Sequence, residues 1–479
     1  VPPQTARPKT EAEGKQKPED SKQRPVAKSK VYLLHSDLLR KDATHPDAQI
    51  VTGNVRFRHD SVYMYCDSAC YYDKVSSFEA FGNVKMVQGD TLFLYGDRLY
   101  YDGLTQIAEM RCNVRMENRT TTLLTDSLNY DRVYNLGYFF DGGTLMDEQN
   151  VLTSEWGEYS PQTKQSVFNY NVKLVNPQFT LTSDTLRYNT ASKVADIVGP
   201  SDIWSDANHI YSEKGTYNTV TGKADLYDRS VLTNQGKQLT GDTLFYDRNT
   251  GVGEVFSRMV MTDTINRNML TGEYGYYNEQ TDYAFATDSA VAIDYSQGDS
   301  LFLHADTLLM ETFHQNTDSM FREMRAFHKV RFYRTDVQGT ADSLVFSTVD
   351  SCLTMYRDPI IWNKNQQLLG EVIKVYMNDS TIDWSHIIGQ ALSVERVDST
   401  IYNQVTGKEM KSYFTNGEMR KTEVIGSVRV VYYPMDSDST LIGMNVSETS
   451  KLEIYLQDRK IERMVMSPKS NGVLYPMSQ

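Results

Sequence analysis

An acidic residue returns about every 29 positions along most of this chain, and a period of that length commits a sequence to stacking copies of one small structural element. The anchors are Asp67, Asp97, Asp126, Glu155, Asp184, Glu213, Asp242, Glu273, Asp306, Asp342 and Glu371, with steps of 30, 29, 29, 29, 29, 29, 31, 33, 36 and 29 residues. Three positions before the acid stands an apolar residue in nearly every copy, Gly339 being the exception, and four positions after it stands Tyr, from Tyr71 through Tyr277. A turn signature follows, clearest in Tyr246-Asp247-Arg248-Asn249-Thr250-Gly251, and then a small residue: Ala108, Gly137, Ser166, Ala195, Ala224, Gly253 or Ala284.

Alternating apolar and polar residues, rich in Tyr, Val, Thr and Phe, describe strands whose two faces see different surroundings. Asp or Asn after the Tyr is hairpin chemistry, because these side chains bond nearby backbone and tolerate positive φ. Apolar positions have odd parity before the acid and even parity after it, so the inward face slips by one residue there. A slip of one is what a bulge or corner produces where a strand bends from one sheet into another. Gly53-Asn54, Gly82-Asn83, Gly96-Asp97 and Gly241-Asp242 supply residues suited to such bends. Each repeat therefore reads as two bent strands, out across a corner and back through a limb such as Val84-Lys85-Met86 or Val114-Arg115-Met116, whose central cation faces water. Eleven such pairs at ~4.8 Å per strand would extend roughly 100 Å, and an odd number of strands per repeat is the alternative. The fold class expected is all-β, an extended repetitive β-jellyroll in which bent antiparallel strands stack into a V-shaped trough. Gly157, Gly215 and Gly275 alternate with Leu128, Leu186, Leu244 and Leu308 two positions after the acid, so large and small residues take turns along one wall.

Three regions follow. Residues 1–30, rich in Pro, Lys, Glu and Gln, read as a disordered linker; 31–356 carry the repeat; 357–479 read as a related C-terminal β module continuous with it. A net charge of −13 argues against nucleic acid as partner. No run approaches the roughly 20 apolar residues that span a bilayer, and a chain starting at Val1 is compatible with a removed export signal.

Motifs of chemistry are missing. Cys66, Cys70, Cys112 and Cys352 match no zinc spacing, although a disulfide among the first three is compatible with an oxidising compartment. Cys112 takes the place that Gly82 holds in its own repeat, a structural position. Eight His are scattered, with no metalloprotease or nucleophile-elbow pattern. The acids recur in every repeat, whereas a catalytic pair is needed once, so their role is structural and no enzyme is expected. Met435-Asp436-Ser437-Asp438-Ser439 reads as a solvated turn before a calcium loop, and no cofactor or metal is expected. Sequons fall at Asn118, Asn378 and Asn445.

What is left is the inner wall: Val84, Met86, Leu94, Leu99, Val114, Met116, Leu123, Leu128, Leu181, Leu186, Leu239 and Leu244. Two readings stay open for it, a filled sandwich core and a lengthwise apolar groove for an acyl chain.

The segments G-N-V-K-M-V-Q-G-D-T-L-F-L-Y-G-D-R-L-Y-Y-D (82–102) and L-T-G-D-T-L-F-Y-D (239–247) resemble the OstA-like (LptA) family of periplasmic lipopolysaccharide-transport proteins. Val424 to Pro434 and Leu452 to Met477 resemble its long, Bacteroidetes-type members, and the resemblance covers about residues 31–479. It implies a β-jellyroll whose groove carries lipid A acyl chains between membranes, a periplasmic location, and partners that are other jellyroll components of the bridge, paired edge strand to edge strand. The chain is far longer than a single short jellyroll, which bears on partner stoichiometry. The alternative function is a dry β-sandwich spacer or envelope scaffold with no lipid ligand; a polysaccharide-active repeat protein is a third class, though parallel β-helix enzymes lack this hairpin chemistry.

Overall fold

The structure is a computed structural model that describes residues 29–476 apart from 43–44, 207, 297, 379–380, 437–439 and 458–459. Most of the expected N-terminal linker and the centre of the Met435–Ser439 run thus lie outside the described residues. Among those described there is no α-helix, only one 3-10 turn at Asp73–Val75, and every ladder is antiparallel. Two compact units emerge, Val1–Tyr170 and Asn171–Gln479.

In the first unit, His45–His59, Val62–Tyr72, Ser77–Gln88, Leu92–Asp102, Ile107–Asn118 and Thr121–Asp131 pair each with the next. The last of these shows the bend directly, because Leu128–Asp131 pairs with Leu136–Phe139 while Thr121–Thr125 pairs with Gly143–Asp147. In the second unit Phe179–Asn189 does the same, its first half against Ser201–Ser205 and its second against Val194–Ile197. From Val252–Asp263 to Lys460–Pro476 the strands are long again and pair in sequence, apart from short split limbs between Cys352 and Leu369. Each repeat thus contributes two limbs, and each unit is a creased antiparallel β-jellyroll; the residues before the acid form one leaf and those after it the other.

The parity slip sits where it was expected. In Leu92–Asp102 the buried residues are Leu92, Leu94 and Gly96, then Leu99 and Tyr101, with Asp97 and Arg98 exposed between. The backbone that makes the crease lies on the returning limb instead. Gly53-Asn54, Gly82-Asn83, Cys112-Asn113, Ser257-Arg258, His328-Lys329 and Gly426-Ser427 each place two consecutive residues at positive φ. Each pair forms a two-residue bulge, and all but Gly426-Ser427, which faces Ser450, lie opposite the acid of an adjacent outgoing limb, as Gly82-Asn83 lies opposite Asp97. Gly96 and Gly241 do not adopt positive φ; they supply space, and a Cβ on Gly241 would fall 2.1 Å from Val255.

The crease explains the acids. Asp37, Asp67 and Asp97 accept from the side-chain amides of Asn54, Asn83 and Asn113 at 3.0, 2.8 and 2.7 Å. Asp126 accepts the Asn113 backbone N–H at 3.3 Å, and Asp242 takes two hydrogen bonds from Arg258 at 2.9 and 2.7 Å. A bulge leaves backbone donors without ladder partners; carboxylates accept from two of them, the N–H groups of Asn113 and Arg258, and elsewhere tie down the bulge side chains. Several of the other hairpin ends are Asx turns: Asp102 Oδ1 accepts from the N–H groups of Leu104 and Thr105, and Asn218 Oδ1 from those of Val220 and Thr221.

Candidate functional site

Between the two leaves of each unit lies an extended apolar surface, the candidate functional site. All twelve wall residues point inward, and none is more than 3% exposed. They fall into rows that cross the strands. In the first unit Met86, Leu94, Met116 and Leu123 are successive cross-strand partners on one leaf, and Leu99, Met110 and Leu128 line up on the other. In the second, Leu181 opposes Ile203, Leu186 opposes Ile197, Leu239 lies between Leu232 and Met261, and Leu244 between Leu226 and Val255.

The leaves touch. A Cβ on Gly137 would lie 3.3 Å from Met116 Sδ on the facing leaf, and one on Gly253 would lie 3.1 Å from Leu239. The glycines two positions after the acid answer the same need: a Cβ on Gly157 would meet the Phe139 ring at 2.5 Å, and one on Gly275 would meet Met259 at 2.6 Å. Large and small residues alternate because each glycine leaves room for its neighbour's large side chain.

Tyrosines close the wall on the side away from the crease. Tyr101, Ala108, Tyr130, Gly137, Tyr159 and Ser166 are successive cross-strand partners in the first unit, and Tyr188, Ala195, Tyr217, Ala224, Tyr246, Gly253, Tyr277 and Ala284 in the second. The small residue after each turn is thus the neighbour over which a Tyr ring fits. These Tyr are all buried, and burial lifts the Tyr101 phenol to about 12 although Arg132 opposes it.

At the rim the phenols meet polar residues of the other leaf. In the first unit, His59 Nδ1 is 2.7 Å from Tyr101 Oη and 3.1 Å from Arg132, which also donates to Tyr101. Gln88 donates to Asn135 at 2.8 Å, and Lys164 to Asn118 at 3.1 Å. In the second unit, Asn208 donates to Tyr246 at 2.8 Å, Asn234 to Glu279 at 2.9 Å, and Arg248 to Tyr217 at 3.2 Å. Lys237 pairs with Asp282, which also accepts from Thr312 at 2.9 Å. Burial pushes the Asp282 carboxyl up, but Lys237, Thr312 and Arg322 together hold it below its ordinary value.

Sequence reasoning did not find this rim. The signal was there: Asn150, Asn208 and Lys237 lie five positions before their acids, at inward parity, where the alternation calls for an apolar residue. Among the cysteines, Cys66, Cys112 and Cys352 are free thiols, and Cys112 sits at the crease with φ 64° in the place of the glycine, as expected. Among the described residues no group of three or more His, Cys, Asp or Glu is placed to hold a metal, and no helix is long and apolar enough to cross a membrane.

His59 makes the first unit sensitive to acid. The ring is buried, and burial followed by the Arg132 guanidinium pushes its pKa below 6.5, with Asp60 and the Ser29 backbone opposing. The neutral tautomer fits, Nδ1 accepting from Arg132 and Nε2–H donating to the Ser29 carbonyl at 3.2 Å. Because the folded pKa is depressed, the unfolded chain binds the proton first. The stabilisation is therefore complete above about pH 6.5 and falls as pH drops below it, by up to ~1.4 kcal/mol per pH unit until the folded ring protonates. Hydrogen exchange in Leu92–Asp102 of the full chain, compared at pH 7.5 and 5.5 after correction for intrinsic rates, should show this loss in the native protein and not in His59→Gln; equal losses would refute it.

Creased leaves, a repeating acid-and-bulge corner and an apolar interior define a repetitive β-jellyroll. The chain belongs to the OstA-like protein family, whose sequence model matches residues 28–184, 180–242 and 203–294, more than half of the chain. Among solved structures it is similar to LptH of Pseudomonas aeruginosa, described as the LptA-homologous periplasmic component of the lipopolysaccharide transport device, at 13% identity over 29% of this chain and 95% of that one, with a TM-score of 0.23. No curated protein matches the chain.

Proposed function

We propose that this protein is a non-enzymatic periplasmic segment of a lipopolysaccharide-transport bridge, in which acyl chains of lipid A lie between the two leaves and neighbouring jellyrolls dock at the open sheet edges. Membership of the OstA-like family supports the transport role. The observation that carries the reading is an apolar interior that recurs repeat after repeat within units whose outermost strands, among the described residues, leave one edge unpaired. At the N-terminal end Tyr32–His35 and Leu38–Asp42 both pair with His45–His59, and at the other end Lys460–Pro476 pairs with Gly443–Gln457, leaving Val473, Leu474 and Tyr475 about half exposed. An unpaired edge with exposed apolar residues is a template for strand addition. Acyl chains between the leaves would bury apolar surface at ~25 cal/mol per Å².

A second reading, a dry spacer, is favoured by the near-complete burial of the twelve wall residues without any ligand. Photocrosslinking in cells separates the two. A photoreactive residue placed in turn at Leu128, Leu186, Leu244, Met324 and Phe346 is expected to capture lipopolysaccharide from at least one inner position, and capture from none of them would end the carrier reading.

A further inference from the structure

Within the second unit the interior changes character after Asp294. Before that point the inward rows are filled, except that Leu270 and Ala292, the last members of the facing-leaf row, are already part-exposed. Leu181, Ile203, Ile210, Leu232, Leu239 and Met261 are buried on one leaf, the tyrosines on the other, and the mouth between them is bridged by Asn208–Tyr246, Asn234–Glu279 and Lys237–Asp282. These hydrogen-bonded, largely buried polar groups stand across the lateral route a lipid chain would take, and opening Asn208–Tyr246 would leave two buried groups unsatisfied.

After it the same rows carry other residues. The tyrosine row ends at Tyr277 and Ala284, and its next cross-strand members are Met310, Met324, Phe346 and Leu353, all part-exposed. The polar rim row runs Asn234, Lys237, Asp263, Asn268 and Asp294, is interrupted by the part-exposed Leu301, and further on carries Arg334, Val337, Asn363 and Gln366. On the facing leaf Phe332 and Leu368 are part-exposed too, beside buried members of the same row, Leu303 and Ile361, while the crease-side row beneath, Leu308, Ala326, Leu344 and Met355, stays buried throughout. A floor that is dry and walls that are wet are what two leaves standing apart at their rims produce. Further on the wall row becomes Ser385, Ser412 and Thr422, small and buried, with Ser412 and Thr422 hydrogen-bonded at 3.0 Å.

We infer that the acyl-chain site of the second unit is a window in strands Leu301–Phe313 through Gln366–Leu369, and that the laced segment before Asp294 is its closed end. This deepens the carrier reading and rests on it for the identity of the natural ligand. The occupant is a flexible apolar chain, because neither wall row offers a hydrogen-bonding side chain, and two thioethers and two aromatic rings adapt to a mobile aliphatic partner. The row from Met310 to Leu353 crosses four strands, about 14 Å at ~4.8 Å per step, so the window accommodates a chain lying across the strands.

The experiment uses the purified full chain and a diazirine-bearing palmitic acid, with adducts mapped by mass spectrometry, alongside the lipopolysaccharide crosslinking in cells. Labelling is expected on peptides containing Met310, Met324 or Phe346 at least tenfold above peptides containing Leu186 or Leu239. Met310→Glu should reduce it at least tenfold, and Tyr333→Glu on the outer face should not. Labelling that favours the Leu186 and Leu239 peptides, or that spreads evenly, overturns the assignment, as does labelling of neither set. Fatty-acid labelling at the window together with no lipopolysaccharide capture in cells would leave the window standing and remove the transport reading alone.

Discussion

Trimming Leu128 to alanine is expected to destabilise the first unit by about 2–5 kcal/mol, the range for a leucine deleted from a close-packed core. Leu128 has no exposed surface, lies between Met110 and Phe139 across the strands, and would stand 3.4 Å from a Cβ on Gly137. With the leaves already in contact, the surroundings cannot collapse into the space the side chain leaves, so a cavity adds to the lost transfer free energy. A residue lining an empty groove would behave otherwise, because its removal exposes little that was dry, and the loss would stay below ~1 kcal/mol. Met324→Ala, at a part-exposed position of the second unit, provides that comparison in the same chain. Hydrogen exchange of the flanking strands in the full-length protein measures both. A loss under 1 kcal/mol for Leu128→Ala would show that the wall is not filled.

The same residues mark what could be read from sequence. The repeat, the two limbs, the slip at Asp97 and the Asx turn at Asp102 are local regularities, and each survives in the structure because period-2 alternation and turn chemistry act within a few residues. The apolar wall was legible for the same reason. What parity cannot tell is how far apart two inward faces stand, since a groove and a core share one alternation. Distance between leaves is set by contacts such as Gly137 with Met116, whose sequence separation exceeds any local pattern. The rim was hidden differently. Asn208, Lys237 and Glu279 break the apolar alternation singly, and only the crease brings them opposite one another. Nor did the acid mark the bend's own backbone: Asp97 flags the corner, but the positive-φ pair that makes it sits at Gly82-Asn83 on the neighbouring limb.

That displacement gives the second large effect. Gly82→Val is expected to cost the first unit about 2–4 kcal/mol, because a β-branched residue is strained in the left-handed region and the bulge admits no other conformation. Gly82 has φ +73°, and a Cβ there would come within 2.6 Å of Asp67 Oδ2, displacing the carboxylate that accepts from Asn83 at 2.8 Å. Two comparisons separate strain from collision. Gly82→Asn should cost less than valine by ~1 kcal/mol or more, since Asn keeps the Cβ collision but tolerates this region, which Asn83 and Asn113 already occupy. In an Asp67→Ala background the penalty of Gly82→Val should shrink by the part due to the carboxylate and keep the part due to φ. Exchange in Ser77–Gln88 reads all three variants. If valine at position 82 costs no more than asparagine, the returning limb is not held in a left-handed bulge, and the crease that brings the apolar faces together has another origin.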